Sequence, residues 1–331
     1  GDNDGDNSGV LSYARIEFAG NPFKADQEIN GLTLGSVGSG TKIDHVQVSY
    51  SNDDSFEWFG GAVNCKYLIA YKGWDDDFDT DNGYSGKVQF GLSIRDPRLA
   101  DQSQSNGFES DNCADGAQLT PYTTATFSNI TFVGPKAAAD FQNDKSYITG
   151  GDYFPNNGSG LGKFQSAMQI RRSSRLNCVN SVATDWPIGL IVDGEKGNTV
   201  EQAKAGTLNL KNIYFANMDV VGTDANKCYK DKEYDFKTKS VKADSEMSFS
   251  HRFFEKQDGN KYFADKSQLM LTDGKGVGVP FMPQAGSLLF GAQNFDGLDS
   301  WFDQVTYIGA FNAGDNWLDG WTNFDPQNAN Y

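Results

Sequence analysis

One short block, written three times, constrains this chain more than any other feature. It reads Phe56-Glu57-Trp58-Phe59-Gly60-Gly61, then Phe78-Asp79-Thr80-Asp81-Asn82-Gly83, then Phe108-Glu109-Ser110-Asp111-Asn112, at offsets of 22 and 30 residues. Just upstream, Asp53-Asp54 falls over Asp75-Asp76. A short repeat offset between β-like blocks marks a solenoid, whose coils stack strand on strand. Equivalent residues of adjacent coils then lie about 4.8 Å apart. Glu57, Asp79 and Glu109 are therefore expected to form an acidic ladder on one outer face.

Two families of strand blocks alternate along the chain. One contains residues 14–18, 45–48, 67–70, 91–94, 129–132 and 212–215; the other contains 31–34, the three carboxylate blocks, 167–170 and 189–192. Each block is short, alternates with period two, and is bounded by Gly, Asn or Asp. The offset from Met168 to Leu190 is again 22, so the register resumes after an interruption at about 134–164. That interruption includes Gly150-Gly151 and Asn156-Asn157-Gly158-Ser159-Gly160. Long inserts of this kind project from a coil corner and wall clefts. A second insert, 228–266, is rich in Lys, Asp and Glu and precedes an aromatic segment with Trp301, Phe302, Trp317, Trp321 and Phe324. That segment reads as a cap over the last coil, which would otherwise expose strand edges; a sugar-stacking platform is the alternative. The pattern predicts an all-β, right-handed parallel β-helix with long loop insertions. Its parts are an acidic N-terminal tail (1–7), the solenoid (8–227), and an insertion with a C-terminal capping region (228–331).

The formal charge of −16, from 28 Lys+Arg against 44 Asp+Glu, argues against a nucleic-acid partner, which needs clustered cations. Polycationic ligands or metal ions fit such a field better. The 24 Phe, 14 Tyr and 6 Trp supply ample apolar area for a core, and no apolar stretch is long enough to span a membrane. Cys65, Cys113, Cys178 and Cys228 form no CxxC pair and allow three disulfide pairings; Cys65 and Cys178 read equally well as small buried residues. His45 and His251 stand far apart in sequence and give little support to a Ser-His-Asp triad. No signal peptide is visible, and the abrupt start at Gly1-Asp2-Asn3-Asp4 reads as a processed or truncated terminus.

The run Asn52 to Gly61 resembles secreted right-handed parallel β-helix proteins common in the Bacteroidetes. So do Asp75 to Asp81, Tyr84 to Phe90 and the ending Tyr307-Ile308-Gly309-Ala310-Phe311. The resemblance covers most of the chain and implies a β-helix exported to the cell surface or beyond, with no activity to carry over residue by residue. More distantly, the architecture is similar to pectate lyases and polygalacturonases, although no catalytic motif of either stands in this sequence.

Strand alternation places Phe56, Phe78, Phe108, Met168 and Leu190 inward. Glu57, Asp79 and Glu109 then point outward, followed two residues later by Phe59, Asp81, Asp111, Arg171 and Asp193. Three readings of this face compete. In the first, Arg171 bridges to Asp111 of the preceding coil and nearby Lys side chains neutralise the rest. In the second, calcium binds: Asp75, Asp76, Asp77, Asp79 and Asp81 put five carboxylates in seven residues, and Asp53, Asp75, Asp76 and Asp77 are the expected ligands because a turn converges oxygens. Asp2, Asp4 and Asp6 have ligand-like spacing too, but read as a solvated tail. In the third, the ladder works on glycans, with Asp79, Glu109, Asp81, Asp111 and Arg171 as catalytic candidates. Arg172 and Lys163 are further candidates for the base of a lyase. The preferred expectation is binding of an extracellular polysaccharide or surface protein through Glu57, Phe59, Asp79, Asp81, Glu109, Asp111 and Arg171, with calcium as a structural aid and without turnover. A polysaccharide lyase or hydrolase and an adhesin or envelope scaffold are the alternatives.

Overall fold

A computed structural model describes residues 3–20, 29–151, 160–315 and 317–330. Fifteen strands of these residues stack into two parallel sheets. The first sheet is built from β1 (Val10–Glu17), β3 (Lys42–Ser49), β5 (Asn64–Tyr71), β7 (Lys87–Ile94), β9 (Thr126–Val133), β11 (Asn177–Thr184) and β13 (Asn209–Ala216), in that spatial order. The second runs from β2 (Leu32–Gly35) through β4 (Phe56–Phe59), β6 (Phe78–Asp81), β8 (Phe108–Ser110), β10 (Ser166–Ile170) and β12 (Ile188–Val192) to β14 (Val220–Thr223). A small antiparallel pair, β15 (Tyr234–Asp235) and β16 (Ser240–Val241), follows, and then β17 (Lys261–Phe263) pairs with β13. This is the expected right-handed parallel β-helix.

The short blocks expected from sequence hold for the second sheet, whereas strands β1 to β13 of the first sheet are each eight residues long. The reason is a bend. The fourth residue of every one of these strands is left-handed: Tyr13, His45, Tyr67, Phe90, Asn129, Asn180 and Asn212 have φ between +49° and +63°. The left-handed residue turns the backbone without ending the ladder, so one sheet forms two of the three faces. Pairing resumes on both sides of it, as in Ser12↔Asp44 and Ala14↔Val46.

Inside, the repeat register is as read from the sequence. Phe56, Phe78, Phe108, Met168 and Leu190 are consecutive partners and fully buried. The rings of Phe56 and Phe78 stack at 5.6 Å. Cys65 and Cys178 belong to a second inward row with Ile43, Val88, Phe127 and Leu210. All four cysteines are free thiols. The insert after β9 lengthens one coil, from Phe108 to Met168, and tucks Tyr147, Ile148 and Phe164 against the core. The Asn156–Gly160 run of that insert lies outside the described residues but for Gly160, as does Asp2 of the acidic tail. Asp4 and Asp6 are exposed, yet their carbonyls accept from Ser39 (2.7 Å) and Gly40 (3.0 Å), so this stretch is tied to the solenoid rather than free.

The aromatic C-terminal segment is not the cap. Capping falls to the preceding insert, whose helix α1 (Phe249–Lys256) closes the last coil. Phe254 stacks on Phe215 at 4.5 Å, and Asp224 accepts from the backbone of Phe249 and Ser250. Gly222 permits this closeness, since a Cβ there would lie 2.6 Å from the His251 nitrogen. The chain then runs back along the whole solenoid as a strap. It meets Asn180 at Asn294, Asn129 at Tyr307 and Gly309, Gln89 at Asp303, Tyr67 at Trp317, His45 at Trp321 and Gln47 at Asn323. Burial of apolar surface explains the path. The outer face of the second half of the bent sheet carries Ile69, Tyr71, Leu92, Ile94 and Val133, and the strap covers them with Phe281, Ala310, Phe311 and Trp321.

Candidate metal centre on the acidic face

The second sheet presents the ladder in the expected order. Glu57, Asp79 and Glu109 are register partners, flanked by Phe59 paired with Asp81. The face points outward but is not open: Glu57, Asp111 and Asp193 are buried and Asp79, Asp81, Glu109 and Phe59 are half-buried. Side chains from adjoining turns do the walling. Asn30 donates to Glu57, and the backbone N–H of Asn226 donates to Asp193 at 2.9 Å.

The ladder divides into an arginine-paired end and an end where carboxylates crowd together. At the first, Arg171 pairs with both Glu109 and Asp111, and Arg172 donates to Asp111 at 2.7 Å. The expected Arg171–Asp111 bridge is present, with Nε to Oδ1 at 2.8 Å. Burial opposes the charge on Arg171, but Glu109 and Asp111 outweigh it and hold the guanidinium firmly protonated. Asp81 accepts from the Asn82 N–H instead.

At the other end lie Asp53, Asp54, Glu57, Asp75, Asp76 and Asp79. Carboxylate oxygens of Asp53, Asp54 and Asp75 lie within 4.8 Å of one another, as do those of Asp54, Glu57 and Asp79. Asp54 is common to both groups. Burial raises the Asp54, Asp75 and Asp79 carboxyls well above the usual range, and neighbouring carboxylates push the same way. Glu57 is pushed up to about 8 for the same reasons, against the relief given by Asn30. Glu109 rises to about 7 through burial, which Arg171 partly offsets. Most telling is Asp79, whose Oδ1 is buried with no hydrogen-bond partner among the described residues. A buried acceptor without a donor carries a penalty of about 1–3 kcal/mol.

The ligand set expected from sequence has to be redrawn. Asp77 turns away from the face: its carboxylate accepts from Arg95 Nη1 at 2.8 Å and Ser93 Oγ at 2.5 Å, both partners being buried. Arg95 also donates to the Trp74 carbonyl, so this is an internal ion pair that fixes a corner of the coil. Asp76 accepts from the backbone and side-chain amides of Asn106, at 2.6 and 3.1 Å, and serves chiefly as a tie between coils. Asp53 and Asp75 remain in place, with Ser103 donating to Asp75. Asp54, Glu57 and Asp79 complete the groups. The signal for Asp54 was its register with Asp76: each stands two residues before a stacked Phe, at a corner where side chains reach the next coil.

The donor set is oxygen only, carboxylate-rich, and irregular enough for a hard cation of flexible coordination. Calcium fits it, with Asp53, Asp54, Glu57, Asp75 and Asp79 as the available ligands. No helix among the described residues is long and apolar enough to cross a membrane. Neither a curated protein sequence nor a solved structure matches the chain. The family described as "Pectate-lyase like beta helix domain" matches residues 1–256, most of the 331-residue chain. Coil register, stacked interior and sequence family therefore agree, and the chain belongs to the pectate-lyase-like β-helix domains.

Proposed function

We propose that the carboxylate-crowded end of the ladder takes up calcium and that the loaded face binds an anionic polysaccharide outside the cell. The observation that carries this reading is the buried, unpartnered Asp79 Oδ1 among carboxylates held above their usual range. A cation supplies the missing partner and lets neighbouring acids ionise together. Arg171 and Arg172 follow β10, two coils on from Asp79, and place positive charge farther along the same face, so a polymer spanning those coils can meet the cation with one carboxylate and the arginines with another. Contact without turnover is favoured because both arginines are already ion-paired to Asp111, which leaves neither free to accept a proton.

The family match favours a second reading, cleavage of an acidic polysaccharide by elimination at the same face. A cation there would acidify the uronate proton, and a displaced Arg172 would have to remove it. One experiment separates the readings. Polygalacturonate and alginate are tested in affinity gels with calcium or EDTA, and the same mixtures are followed by the ultraviolet absorbance of unsaturated uronates. Calcium-dependent retardation without absorbance is expected. Absorbance that disappears in Arg172→Ala would install the lyase reading, and no retardation of either polymer would remove both.

A further inference from the structure

We propose a second ligand site on a different face, a groove for short uncharged oligosaccharides between the first half of the bent sheet and the strap. A cavity of about 540 Å³ lies there, walled by Asn177, Asn209 and Lys211 of the sheet and by Asn294, Asp296 and Leu298 of the strap. A neighbouring cavity of about 630 Å³ shares Asn212, Asn294 and Asp296 with it, so the two form one trough. The volume lies in the range of ordinary ligand pockets.

The chemistry of the walls differs from that of the acidic face. Thr126, Asn177 and Asn209 are register partners at the starts of β9, β11 and β13. They present one amide or hydroxyl per coil, at intervals of about 4.8 Å. Asn209 Nδ2 donates to Asn177 Oδ1 and to the Gly206 carbonyl, and Asn177 Nδ2 donates to the Arg175 carbonyl, so the row offers a sugar hydroxyl the Thr126 hydroxyl, the second N–H of Asn177 and the Asn209 Oδ1. The charged groups are largely matched: Lys211 lies 3.7 Å from Asp258, leaving Asp296 as the extra acid. That balance, within a chain of charge −16, disfavours an anionic ligand. Leu298, half-buried on the strap, supplies the apolar patch that a sugar ring's C–H face needs. The asparagines of the bend hold the trough open rather than fill it, because Asn180 bonds the Asn294 backbone through both its amide atoms.

The test uses the whole protein in EDTA, so that it is independent of the calcium face. Cellohexaose, xylohexaose, mannohexaose and maltohexaose are titrated calorimetrically and by saturation-transfer NMR. At least one is expected to bind, with affinity unchanged in Asp79→Asn and weakened about tenfold in Leu298→Ala and, separately, in Lys211→Ala. Both positions lie on the strap or sheet surface, and unchanged melting curves confirm that each variant folds. The proposal is overturned if none of the four binds, if binding survives both substitutions, or if it is lost in Asp79→Asn. Failure here leaves calcium-dependent retention of acidic polymers untouched, and the converse also holds.

Discussion

Two aspartates only two residues apart, Asp77 and Asp79, carry opposite duties, and the difference lies in what each meets. Asp77 is an internal counter-ion: Arg95 and Ser93 satisfy it, and burial still raises its carboxyl to about 6. Removing one partner of such a pair leaves the other charge stranded. Asp77→Ala is therefore expected to lower stability by about 3–5 kcal/mol in chemical denaturation, with or without calcium. A loss below 1 kcal/mol, within the range of an exposed pair, would contradict the buried role. Asp79 behaves in the reverse way. It is strained by its neighbours when no cation is present, so Asp79→Asn should melt at or above the wild-type temperature in EDTA while losing the calcium-induced rise. The sequence made these two look alike, because density of Asp says how many carboxylates are near and not which way each turns. Alternation did place Asp79 outward. Asp77 sits where the corner meets the strand, and its fate depended on Arg95, a residue one further strand along.

Among the elements, the seven eight-residue strands show how an aromatic or an asparagine becomes a structural device. In the early coils the left-handed residue is Tyr13, His45, Tyr67 or Phe90, and the rings stack at 4.3, 4.4 and 4.9 Å. In the later coils it is Asn129, Asn180 or Asn212; the amides of Asn129 and Asn180 tie down the strap, and Asn212 donates to Asn180. Asn180→Ala should cost about 1–3 kcal/mol, since it strands the backbone N–H and carbonyl of Asn294. The same substitution should make the strap near residue 294 more easily cut in limited proteolysis, and an unchanged digestion pattern would argue that the strap is held elsewhere. The bend itself was only half legible. The blocks starting at His45, Tyr67, Asn129 and Asn212 were found as strands, but the polar run before each reads as loop because its outer face is mixed. The recurring Asn before an apolar alternation was the available signal, as Asn tolerates left-handed backbone better than most residues.

Over the whole molecule, the repeat set the fold and the charge set its dependence on conditions. Offsets of 22 and 30 translated directly into register, since stacking coils allow little else for Phe56, Phe78 and Phe108. The strap was not legible as such: its aromatics show that something must be covered, and a cap and a lengthwise cover bury similar residues. The titration of the acidic face follows from burial and like charge. Glu57 ionises at about 8 in the folded chain against 4.5 as a free side chain, so the folded state holds a proton that the unfolded state has released. The contribution of this face to stability in EDTA is accordingly greatest below pH 4.5 and is lost as pH rises through 8, with Glu109, at about 7, acting in the same direction. A melting temperature in EDTA that climbs across that window would contradict the assignment. Calcium should oppose the fall, more strongly at the alkaline end, because binding displaces the shared protons. The most direct test of the central claim is calorimetric titration of calcium into the EDTA-stripped, dialysed wild type and into Asp79→Asn. Saturable binding accompanied by proton release, and absent or weakened about tenfold or more in the variant, is predicted. No heat in the wild type at millimolar calcium, or equal binding in both proteins, would show that the buried carboxylates of this face do not form a cation site.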